Sequence, residues 1–118
     1  MWSERIMKKV VAIIRTERVL FLKEQLSQIG IFAMTIGDIT AWAGQKKFAL
    51  QRRGIPVSYS LIHRVKMEIF IRDDQVDQVI KAIIDTRTGK QGDGMITVSS
   101  LEQIINISNL QKNEDALS

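Results

Sequence analysis

The residues of this chain best suited to chemistry lie at positions 86 to 97, "TRTGKQGDGMIT", which hold three of its seven glycines. A tight turn needs one glycine or two. Three within six residues, with Lys90 beside them, describe a backbone able to approach another group closely. Successive backbone N–H groups of this kind most often receive an anion. The P-loop pattern G-x-x-x-x-G-K-[ST] is absent. Taken alone, the stretch fits either a helix-to-strand connection or a phosphate cradle.

A second candidate is "GQKKFALQRRG", residues 44 to 54, with four cations and no acid. Nucleic acid, phosphate and a membrane surface would all suit such a patch. Other chemistry is scarce. There is no cysteine, which excludes disulfides, thiolate nucleophiles and thiolate metal sites, and a single histidine, His63, excludes a histidine cluster. No pair of acids stands out for general acid–base work. RNA binding on an exposed sheet face is the alternative reading, but the K/R-G-F/Y-G/A-F stacking pattern is missing and Phe70 alone does not replace it.

The elements that must position these residues follow from spacing. With 118 residues, 45% hydrophobic and 25% charged, the chain fits one domain, residues 1–118. Seventeen Lys and Arg against 13 Asp and Glu give +4, a mild excess. No apolar run reaches the ~18 residues of a membrane span, and "MWSERIMKK" has no secretion-signal core, so the expected location is the cytoplasm. "VVAII" and "VKMEIFI" read as strands, each followed by helical spacing: Val19, Leu22, Leu26 and Ile29, then Val76, Val79 or Ile80, and Ile83. Gly30 ends the first helix, while Asp73 or Asp74 caps the second. In "VKMEIFIR", Val65, Met67, Ile69 and Ile71 form one face; Lys66, Glu68, Phe70 and Arg72 form the other, where Lys66 and Glu68 can pair. Two β-α-β units with one helical layer leave a sheet face uncovered, which favours packing on another subunit. Residues 43–61 form a long connection, and the tail from Asn109 reads as frayed.

These pieces, in this order, resemble the PII signal-transduction proteins. "MKKVVAIIR" resembles the family's first strand, and "QIGIFAMTI" its first helix end and second strand. "VKMEIFIRDDQVDQVIKAII" resembles its third strand and second helix, and "TGKQGDGMI" its nucleotide-binding turn. The resemblance runs from Met7 to about Ser108. It implies an α+β, ferredoxin-like double β-α-β fold: one antiparallel sheet, two helices on one face, and a long flexible loop between strands two and three. It also implies a non-enzymatic, homotrimeric sensor of adenine nucleotides that docks through its loop on a transporter, enzyme or regulator. No nucleic acid and no membrane-integral part is expected.

By the same resemblance Gly92, Asp93 and Gly94 meet phosphates, with Lys90 nearby, while Thr35, Ile13 and Glu68 line the adenine pocket. Gln45 and Arg64 correspond to contacts for Mg²⁺ and 2-oxoglutarate. Lys46, Lys47, Arg52, Arg53 and Tyr59 belong to the partner-binding loop. The sequence also departs from the family. Met95 stands in place of a phosphate-facing lysine, and Asn106 and Ser108 in place of two arginines that clamp phosphates. Ala41, Ala43 and Lys47 replace loop-base glycines. Val57 replaces a tyrosine that some members have nucleotidylated. With those cations gone, ADP or AMP is expected to be favoured over ATP.

Overall fold

The computed structural model describes residues 6–45 and 58–117. Strand β1 (Met7–Ile14) leads through a 3-10 turn at Thr16–Arg18 into helix α1 (Val19–Gln28). Two long strands follow, β2 (Met34–Gln45) and β3 (Ser58–Arg72). A 3-10 turn at Asp73–Gln75 opens helix α2 (Val76–Ile84), and β4 (Gly94–Leu101) completes a four-stranded sheet in the order β2-β3-β1-β4. Every neighbouring pair is antiparallel. This is the expected ferredoxin-like arrangement, and no described helix is long and apolar enough to cross a membrane.

Alternation along the strands decides which face is buried. Val10, Ala12 and Ile14 of β1 and Val65, Met67, Ile69 and Ile71 of β3 are all at most 4% exposed. They face Leu22 and Leu26 of α1 and Val79 and Ile83 of α2. The helical spacing thus found its core, with Val79 rather than Ile80 as the buried residue. Val19, Ile29 and Val76 pack at its margin. Helix α1 stops where Ile31 N–H donates to Leu26 O (2.9 Å) and Gly30 N–H to Ser27 O (3.0 Å), a paired closure that uses up two terminal carbonyls. The opposite sheet face carries half-buried Val11, Ile13, Lys66, Glu68 and Phe70, with no helix over it.

Several sequence expectations need correction. The start of α2 is not capped by an aspartate side chain; Gln75 Oε1 accepts from Arg72 N–H at 3.0 Å. Asp74 instead pairs with Arg72 Nε at 2.9 Å. Glu68 pairs with Lys9 (3.6 Å), a neighbour across the sheet, rather than with Lys66 on its own strand. The expected connection 43–61 is shorter, because the β2–β3 ladder continues as far as Gln45↔Ser58. Since β3 pairs with β1 only up to Val65, residues 58–64 are paired with β2 alone and form a two-stranded arm.

The tail is not frayed. Ile105 bridges Lys112, and residues Asn113–Leu117 form a 3-10 turn with Ala116 buried. Arg72 Nη1 holds Glu114 Oε1 at 2.7 Å, which docks the tail at the Arg72 end of the sheet. Met7, opposite Arg72 on the face without helices, is only 1% exposed. Polarity alone concealed this, because what orders the tail is hydrogen bonding rather than apolar content.

Replacing fully buried Leu26 by Ala should cost about 2–5 kcal/mol in chemical denaturation. Glu114→Gln, at a half-exposed ion pair, should cost less than about 1 kcal/mol. A larger loss from E114Q than from L26A would show that the tail, and not the helix–sheet core, sustains the fold.

Candidate functional site

The glycine-rich stretch forms a closed turn between α2 and β4, organised by the Asp93 carboxylate. Its Oδ2 accepts from the N–H groups of Thr88 (3.0 Å) and Gly89 (2.8 Å). Its Oδ1 accepts from the Thr88 hydroxyl and from Arg15 Nε (3.0 Å). The Thr88 hydroxyl also accepts from Lys90 N–H at 3.1 Å. The Thr88 hydroxyl above all, then Arg15 and the two N–H groups, hold the Asp93 carboxyl well below the usual carboxylate range; its partial desolvation opposes them.

Two arginines reach the turn from the sheet. Arg15, one residue past β1, also donates through Nη2 to Gln91 O at 3.0 Å. Arg64 of β3 donates through Nη2 to Gly92 O at 2.8 Å. Gly92, at φ +87°, sits between them: a Cβ there would lie 3.4 Å from Arg64 Nη2 and 3.8 Å from Arg15 Nη2. Gly94 is needed for a harder reason. At φ +128° an added Cβ would lie 1.7 Å from Ile13 O, in the backbone of the neighbouring strand. The turn can therefore enter β4, paired Ile14↔Gly94, only with glycine there.

Both guanidiniums spend N–H groups on turn carbonyls, so they fix the loop while leaving a positive surround. Among the described residues, the N–H groups of Gln91, Gly92 and Asp93 have no hydrogen-bond partner within the protein. Consecutive unpaired N–H groups form an anion-binding concavity.

Further along the helix-free face, Thr35 Oγ1 donates to Glu68 Oε1 at 3.2 Å, and Lys9 completes a three-strand cluster. Glu68 and Arg64 are four residues apart on one face of β3, about 13 Å. Ile13 lies on the same face, opposite Lys66 and Met95. The structure thus gathers Ile13, Arg64, Lys90, Gly92, Asp93 and Gly94 around the turn, with Thr35 and Glu68 at the other end of one strip. Gln45 and Tyr59 are placed only by their backbone, opposite Ser58 and Gly44. Their side chains, and Lys46, Lys47, Arg52 and Arg53, lie outside the described residues.

Sequence reasoning missed Arg15, Thr88 and Lys9. Arg15 carried no local signal, since only the pairing of β1 with β4 brings it to Asp93. Thr88, five residues before Asp93, could have been read as its hydroxyl partner. The departures also acquire a structural sense. Met95 is exposed beside Ile13. Asn106 is committed to the tail: its Nδ2 donates to Ala116 O (3.1 Å) and its Oδ1 accepts from Ser108 N–H (2.9 Å).

A ferredoxin-like regulatory domain with an arginine-flanked glycine turn is the class that fold and site define. The family model described as nitrogen regulatory protein P-II matches residues 7–111, and the chain belongs to that family. A protein of that name from Pasteurella multocida is 41% identical over 112 residues, covering 94% of this chain and 100% of the relative. One from Haemophilus influenzae is 40% identical over the same length and coverage. Among solved structures, the B. subtilis GlnK–ATP complex superposes with a TM-score of 0.82 at 27% identity, covering 98% of this chain and 100% of that one. Arabidopsis thaliana PII bound to citrate gives 0.75 at 32% identity, covering 96% and 94%. The chain is a signal-transducing regulator of the P-II type, not an enzyme.

Gly94→Ala should disrupt the entry into β4 and lower stability by more than about 1 kcal/mol, because its Cβ at positive φ would overlap Ile13 O. Unchanged melting would refute the close approach to Ile13. For Asp93 the folded pKa is depressed, so its contribution is fully present above the unfolded value of ~3.9 and fades only as pH falls toward the folded one. Amide-exchange protection at Thr88 and Gly89, corrected for intrinsic rates, should hold steady between about pH 5 and 8. It should drop in Asp93→Asn at every pH.

Proposed function

We propose that this chain is an adenine-nucleotide sensor whose phosphate site is the turn 86–94. The observation that carries the reading is the run of unpaired N–H groups at Gln91, Gly92 and Asp93, flanked by Arg15 and Arg64. Thr35 and Glu68, about 13 Å along the same strip, would meet the base, with Ile13 lining the stretch between it and the turn. That spacing suits an extended nucleoside phosphate. The ATP complex of B. subtilis GlnK supports the ligand class.

The sheet face without helices is half-buried and partly apolar, which supports a homotrimer with the ligand cleft between subunits. The arm and the connection 46–57, with Lys46, Lys47, Arg52, Arg53 and Tyr59, would present the surface that docks on a regulated transporter, enzyme or regulator of nitrogen metabolism. Mg²⁺, where it takes part, would arrive with the nucleotide phosphates. Arg64 is the candidate contact for 2-oxoglutarate; Gln45, opposite Ser58 and about 20 Å farther along the arm, cannot share that ligand with it in the same subunit, contrary to the expectation.

ADP or AMP should compete well with ATP. Hydrogen bonds to charged groups contribute roughly 1.5–3 kcal/mol each, so losing two costs about 3–6 kcal/mol, or two to four powers of ten in affinity. Calorimetry with AMP, ADP and ATP, with and without Mg²⁺ and 2-oxoglutarate, tests this. Met95→Lys should raise ATP affinity about tenfold and AMP affinity less. Asn106→Arg is not an equivalent test, because it breaks the tail. Tight ATP binding that 2-oxoglutarate strengthens further would overturn the preference; no nucleotide binding at all would overturn the function. Light scattering should report a trimer, and a monomer at micromolar concentration would remove the intersubunit cleft.

A further inference from the structure

A second cavity lies on the other side of the glycine turn, between the C-terminal end of α2 and the start of β4. Its volume is about 350 Å³, within the ~300–1,000 Å³ range of small-molecule sites. The floor is apolar: Ile14 and Ile83, each 4% exposed. Ile84, Ile96 and Met95 form the walls, with Ile84 39% and Met95 62% exposed. Its floor lies on the helix side of the sheet, while Ile13 and Met95 reach it from the opposite face around the start of β4.

The charges at the rim do not balance. Asp93 is occupied by Arg15, Thr88 and Gly89. Asp85, just past α2, is paired with Lys81 at 3.1 Å. The helix-end carbonyls are also used: Ile83 O accepts from Thr86 N–H (3.0 Å) and its hydroxyl (2.6 Å), and Ile84 O from Arg87 N–H (2.9 Å). Arg87 lines the same cavity, and its guanidinium has no hydrogen bond or ion pair among the described residues. An apolar pocket with one unpaired cation at its mouth matches a ligand with a hydrocarbon body and one anionic head.

We propose that this cavity binds a small amphipathic carboxylate. The chain packs among Ile83, Ile84, Ile96 and Met95, and the carboxylate meets Arg87. Thr86 keeps the pocket shaped, because its buried hydroxyl bonds Ile83 O and its carbonyl accepts from Arg18 Nε at 2.8 Å. That latch fixes the end of α2 against the turn after β1, so the wall does not depend on the ligand. The cavity shares Ile13, Asp93 and Gly94 with the border of the glycine turn, but its carboxylate would meet Arg87 rather than Arg64.

The test is methyl-resolved NMR of the full chain titrated with octanoate, and with octylammonium as the charge-reversed probe. Octanoate should shift the methyl resonances of Ile83, Ile84, Ile96 and Met95 saturably at millimolar concentration, and octylammonium should do so at least about tenfold more weakly. Arg87→Ala should weaken octanoate binding by a similar factor. Ile84→Trp, which fills the mouth from an already exposed position, should abolish saturation while the remaining spectrum stays native. No shift at these methyls, equal response to both probes, or undiminished binding in R87A would each overturn the proposal.

Discussion

Everything at the glycine-turn end of this molecule depends on the contact between two backbones, where Gly94 passes against the carbonyl of Ile13. The contact is too close for any side chain. It fixes where β4 begins, and so which residues of the preceding turn lie over the end of β1. Asp93 then has one geometry available, with Thr88 and Gly89 behind it and Arg15 beside it. The acid is spent on shape rather than on a ligand. The charge left near the unpaired N–H groups is positive, and it comes from arginines anchored on strands rather than on the loop.

How much of this could be read in advance divides along physical lines. Period-two alternation in Val65–Arg72 and the three-and-four spacing of Leu22 and Leu26 are local and strong, and they named the core and the helix-covered face correctly. The glycine turn could be read as a special backbone for the same reason. Arg15 could not be assigned from spacing, because its partner Asp93 lies 78 residues away and only the β1–β4 register brings them together. The same holds for Lys9 and Glu68, which meet across strands whose pairing the sequence does not state. The order of the tail is not legible in its low hydrophobicity. Asn106 and Asn113 order it through hydrogen bonds, and Leu110 and Asn113 adopt positive φ, which periodicity does not report.

The departures from the family pattern are therefore not simple losses. Where the resemblance implies a clamp arginine, Asn106 turns its amide inward and joins Ser108 to Ala116. A side chain committed in this way cannot also reach across to phosphates. The tail is ordered by Asn106, and the proposed phosphate site rests on its own turn with Arg15 and Arg64.

Strand β3 runs unbroken for 15 residues from Ser58 to Arg72, through Arg64 and Glu68 and on into the two-stranded arm. It has the geometry of a lever arm, its fulcrum where β1 stops pairing with it, at Val65. The seven residues beyond that point reach about 23 Å. A rocking of 10° at the fulcrum would carry the far end roughly 4 Å, by simple trigonometry on that length. A pull on the Arg64 guanidinium, one residue from the fulcrum, would therefore be felt mainly at the distant tip, where it is mechanically amplified.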